Sequence, residues 1–141
     1  MKHQRTHYGY ALRIDPGEEI IGALTGFATG ENVRGGLISG IGAVGEAELG
    51  FYKPATGVYE RRQLRGDFEI LALTGNYSDL EGQPFPHCHV ILAGEDFATQ
   101  GGHLFRGVVS VTCEAHIVID GGVIRRVRRP GQTFMPLEPG D

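Results

Sequence analysis

Twenty-three glycines are dispersed through apolar, β-branched segments of this 141-residue chain, about twice the usual share of roughly 7%. They are spread along the chain rather than gathered into a linker. Glycine lets a backbone bend, or approach another strand, where a Cβ would block it. The distribution therefore points to a compact, turn-rich β protein. One segment breaks the pattern. After Asp15-Pro16-Gly17-Glu18, the residues Ile20, Ile21, Leu24, Phe27 and Ala28 fall on one helical face. Asp15 reads as the N-cap, Pro16 as the first helical residue and Glu18 as the partner in a capping box. Gly30-Glu31-Asn32 ends this amphipathic helix, which needs a sheet to cover.

The remainder reads as strands and turns. Residues 7–14 alternate and carry aromatics. Residues 34–42 read as a short strand and 43–52 as a longer one, with a turn at Lys53-Pro54-Ala55-Thr56-Gly57. Residues 58–64 are charged and suit an outer strand, whereas 68–74 are apolar on both faces and suit a central one. Residues 76–86, rich in Asp, Gly and Pro, read as a loop, 87–93 as a strand and 94–102 as a connection. Residues 108–119 form the longest expected strand, and Asp120-Gly121-Gly122 turns the chain into 123–129. The segment 130–141 is expected to lie on the surface. Residues 1–141 thus read as one α+β domain, mainly antiparallel sheet with one principal helix.

Histidines supply the chemistry. In Pro86-His87-Cys88-His89-Val90 the strand period of two points His87 and His89 to one face and Cys88 to the other. His103, in Gly101-Gly102-His103-Leu104, follows closely enough to fold back beside the pair. Three imidazoles on one point suit zinc or another divalent transition metal, with one coordination position left open. Such an ion lowers the pKa of bound water to about 7. A small zinc-dependent hydrolase or lyase is therefore one reading, with Glu69 or Glu114 as acid or base. A ligand sensor using the same site is another. Glu69 also reads as a salt-bridge partner or a hydrogen-bonding support for a metal-bound histidine. Phosphate-binding loop and nucleophile-elbow patterns are absent.

Net charge is −4, which gives the chain as a whole no counterion-release drive toward DNA. The one basic run is Arg125-Arg126-Val127-Arg128-Arg129. It lacks the Arg-Gly-Arg-Pro core that enters a narrow minor groove, so Arg125, Arg126, Arg128 and Arg129 read as weak phosphate contacts or as a charged edge strand. Cys88 and Cys113 suit reduced, buried thiols in a cytoplasmic protein. No apolar stretch has the length of a membrane span.

Six stretches in order carry a resemblance: Gly17-Glu18-Glu19-Ile20-Ile21, Ser39-Gly40-Ile41-Gly42-Ala43-Val44, Gly66-Asp67-Phe68-Glu69-Ile70-Leu71, Gly75-Asn76, His87-Cys88-His89-Val90 and Gly101-Gly102-His103-Leu104. The chain resembles the plants-and-prokaryotes conserved domain, which accompanies AT-hooks in plant nuclear proteins. The resemblance implies a compact fold with a largely antiparallel sheet, a homotrimer, and a metal site at His87, His89 and His103. It also implies a DNA-binding or regulatory role. In plant relatives the stretch matching residues 66–71 is associated with protein partners, and a basic residue usually stands where this chain has Asp67. That departure bears on any protein partner here.

Overall fold

The computed structural model describes residues 1–140. Its elements are β1 (Lys2–Arg5), β2 (Gly9–Ile14), α1 (Ile20–Glu31), β3 (Gly36–Lys53), β4 (Val58–Leu80), β5 (Gln83–Ala93), β6 (Thr99–Ile119), β7 (Arg125–Arg126) and β8 (Leu137–Glu138). The fold is sheet-dominated, with one helix among the described residues. All pairings are antiparallel except that of β4 with β7. β3 pairs with both β4 and β6, and β5 closes the circuit between β4 and β6. The long strands thereby wrap into a small barrel, and β2 and β1 extend it along β6.

The helix starts later than its sequence suggests. Glu19, not Asp15, is the N-cap; its carboxylate accepts from the Ile21 and Gly22 amides at 3.0 and 2.6 Å. A turn at Pro16-Gly17 sets residues 17–19 against β6. Gly17 N–H donates to the Val109 carbonyl at 2.8 Å and Val109 N–H to the Glu18 carbonyl at 3.0 Å. A helix beginning at Pro16 would break both bonds. Glu18 still accepts from the Asp15 amide at 2.7 Å, so the expected box closes a turn ahead of the helix. At the other end Asn32 takes the left-handed conformation, φ 54°, which ends the helix there.

Ile20, Leu24, Phe27 and Ala28 bury the helix against the sheet interior, beside Tyr77, Cys88, Val90, Leu92 and Cys113. Burying each large apolar side chain contributes about 1.5–3 kcal/mol. Tyr77 adds a buried hydrogen bond, its hydroxyl donating to the Leu24 carbonyl at 3.0 Å. The helix covers only one face. On the other, Leu37, Ile41, Ile91 and Val118 stand at least 45% exposed.

Five more expectations need correction. The two strands expected over 34–52 are one, β3, interrupted by register shifts at Gly40/Gly42 and Val44/Glu46. The strands expected over 58–64 and 68–74 are likewise one, and it continues through the expected loop 76–86. β4 turns at Glu81-Gly82, both with positive φ (54° and 83°), and β5 returns from Gln83. Pro84 and Pro86 fit because β5 meets β6 only from His89 onward. Before that point one edge of β5 is free, and a missing N–H costs no ladder bond. Finally, β6 begins at Thr99, within the expected connection 94–102, and the strand expected over 123–129 shrinks to Arg125–Arg126.

Candidate metal centre

His87 and His89 sit two residues apart on the outer face of β5, with Cys88 buried behind them. His103 arrives from β6, where it is the direct cross-strand partner of His89. A strand delivers it, where a connection was expected as far as residue 102. The glycines serve the crossing itself. A Cβ on Gly101 would stand 2.6 Å from the Val90 carbonyl oxygen, and one on Gly102 2.7 Å from that of Gly50. Both are closer than real side chains come, so this stretch can lie between β5 and β3 only without side chains.

The three imidazoles converge. One ligand atom from each lies within 4.8 Å of the others. The ring centroids are 5.3 Å apart for His87 and His89, 4.9 Å for His87 and His103, and 5.5 Å for His89 and His103. His87 Nε2 faces His103 Nδ1 at 3.1 Å. Two nitrogens bound to one tetrahedral zinc at ~2.0–2.1 Å lie about 3.3 Å apart, so this pair fits an ion. Among the described residues no carboxylate joins the group.

Burial, the Arg126 guanidinium and the neighbouring histidines push His87 down to about 4. Burial, His89, Arg61 and Arg126 do the same to His103. Both rings are thereby kept neutral, the form that binds metal. Aromatic rings flank the cluster: Phe105 lies 4.5 Å from the His103 ring and Tyr59 5.2 Å from it. The Arg61 guanidinium stacks 3.8 Å over Phe105 and donates to Glu48 at 2.9 Å.

Arg126 was not legible as a neighbour of the site. Only 8% exposed, it donates to Ser78 Oγ at 2.7 Å, Asn76 Oδ1 at 2.7 Å, the Met135 carbonyl at 2.6 Å and His87 Nδ1 at 3.0 Å. A guanidinium only donates, so Nδ1 accepts and the neutral His87 ring carries its proton on Nε2, toward His103. The expected phosphate-binding run is thus divided. Arg126 points inward, Arg128 pairs with Glu81 at 2.9 Å and Arg129 with Glu138 at 2.7 Å. Arg125 is exposed.

The other candidates stand apart. Glu69 is exposed and pairs with Ala93, four residues or about 13 Å along β5 from His89. Glu114 and His116 are exposed near the far end of β6, opposite Arg13 and Ala11. Neither carboxylate can reach water on an ion at the histidines.

A sheet-dominated barrel with three histidines on its outer face defines the class. The Plants and Prokaryotes Conserved (PCC) domain matches residues 1–120, and the chain belongs to that family. No curated protein matches it in sequence. Among solved structures it is similar to a protein from Bacteroides thetaiotaomicron described as a "putative dna binding protein" (28% identity over 97% of this chain and 96% of that one, TM-score 0.93). It is also similar to a metal-containing protein from Archaeoglobus fulgidus (30% identity, 92% and 91% covered, TM-score 0.83). A third similar structure is a plant- and prokaryote-conserved protein from Pyrococcus horikoshii (29% identity, 99% and 95% covered, TM-score 0.84).

Proposed function

We propose that this chain is a metal-dependent regulatory protein that senses a small ligand at a zinc ion, or another divalent transition ion, held by His87, His89 and His103. The observation that carries the reading is the convergence of three imidazoles with no carboxylate among them. Three nitrogen ligands leave one position open, and the 3.1 Å between His87 Nε2 and His103 Nδ1 is close to the separation of two nitrogens on one tetrahedral ion. The metal-containing relative from Archaeoglobus fulgidus supports it. The distance of Glu69 and Glu114 favours sensing over hydrolysis, because neither is placed to move a proton at the ion.

The acting unit is a homotrimer. A sheet face carrying exposed Leu37, Ile41 and Ile91 asks for cover that one helix on the opposite side cannot give. DNA contact, suggested by the description of the relative from Bacteroides thetaiotaomicron, is weak and electrostatic. It runs through Arg125 with Arg128 and Arg129, because Arg126 is turned inward. The experiment is metal analysis and zinc titration of tag-free protein, wild type against His103→Ala. One ion per chain, lost in the variant, is the expected result.

A further inference from the structure

The Arg126 guanidinium is buried, yet each acceptor it meets is neutral: a hydroxyl, an amide, a carbonyl and an imidazole. It forms no salt bridge among the described residues. Burying an unpaired charge is costly, and a counter-ion normally offsets it. None is near. Glu48 is engaged by Arg61, Glu81 by Arg128 and Glu138 by Arg129. Among the described residues the neighbouring histidine cluster holds no carboxylate either. Arg126 lies beyond the residues 1–120 that match the family, so this charge comes with the C-terminal segment.

We propose that the open position at the three-histidine ion takes a small carboxylate with an apolar or aromatic body, and that this ligand is the missing counter-charge of Arg126. The inference rests on the metal reading above and names the ligand class. The field at the site is positive, from the ion and from a guanidinium held against His87, and no protein group neutralises it. The walls choose among anions. Tyr59 and Phe105 are half-buried aromatics beside His103. They suit a hydrocarbon body better than inorganic phosphate, which needs several N–H donors. Arg126 has one N–H left, since Nε, one Nη1 and both Nη2 hydrogens are engaged by protein atoms. Its action on the ligand is through the field across the His87 ring, as a positioning residue.

Cobalt(II)-loaded protein provides the test, because the visible spectrum of bound cobalt reports its coordination. Benzoate, its neutral isostere benzamide, and inorganic phosphate are titrated separately, with cobalt content measured in each sample. Benzoate should change the spectrum saturably, and benzamide and phosphate should not at the same concentrations. At saturating cobalt, Arg126→Gln should weaken benzoate by about tenfold or more. Because benzoate and benzamide are compared on the unaltered protein, a variant that fails to fold does not remove the test. Protein that takes up no cobalt overturns the metal reading and this one together. Protein that takes up cobalt but treats benzoate like benzamide, or binds phosphate as well as benzoate, overturns the carboxylate alone.

Discussion

Histidines 87 and 103 are shifted in the direction that favours metal. Both are pushed down to about 4, chiefly by burial. Their folded pKa lies below the unfolded value of about 6.5, so between those limits the unfolded chain binds protons that the folded chain does not. The metal-free fold should therefore lose stability as pH falls from about 6.5 toward 4. Denaturant midpoints measured across that window should drop less in His103→Asn than in wild type. The buried thiols shift the other way: burial raises Cys88 to about 12 and Cys113 to about 11. Their contribution is complete below about 9 and is lost as pH rises through those values. A chromogenic disulfide reagent at pH ~8 should find neither thiol until the chain unfolds, and a fast reaction with native protein would contradict this burial. His103→Ala should weaken zinc by about a hundredfold or more, beyond the loss typical of residues that only support ligands. His116→Ala should leave zinc binding unchanged. The shared face of His87 and His89 was readable because it follows from strand period alone. Arg126 was not, because one arginine in a run of four looks like its neighbours until the fold turns it inward.

Elements show where local patterns stop being sufficient. The amphipathic helix was legible from its apolar spacing, but its start was not. Pairing of residues 17–19 with β6 overrides the capping signals at Asp15 and Pro16. The β4–β5 hairpin was hidden for a similar reason. Its turn is Glu-Gly rather than Asn-Gly, and its prolines sit where one strand edge is free. Glu81 holds φ 54°, a conformation Asn adopts at lower cost. Glu81→Asn should therefore stabilise the fold by about 0.5–1 kcal/mol, since the exposed pair it gives up with Arg128 contributes little. A thermal or denaturant midpoint below that of wild type would contradict the turn assignment. At the β5–β6–β3 crossing the outcome is opposite. Gly102→Val would set carbons against the Gly50 carbonyl. It should cost about 3 kcal/mol or more and displace His103, so zinc binding should fall with stability.

At the scale of the whole molecule, the sheet leaves an apolar face beside the three-histidine cluster. The trimer reading predicts that light scattering of dilute protein gives three times the chain mass; a clean monomer would contradict it. A fluorescent AT-rich duplex should bind weakly at low salt and release at physiological salt. Retention there, or clear sequence preference, would show a cationic surface stronger than Arg125, Arg128 and Arg129 supply. The closed circuit of β3, β4, β5 and β6 could not be read from composition, because it depends on which long strands bend and pair twice. That circuit makes His103 the partner of His89 and turns a His-x-His pair into a three-histidine centre. The most direct measurement is metal content by elemental analysis of protein purified without an affinity tag, for wild type and for the triple variant His87→Ala, His89→Ala, His103→Ala. The account predicts one divalent transition ion per wild-type chain and none in a variant that remains folded. Wild type without metal after exposure to zinc, or a folded variant that keeps its ion, would contradict it.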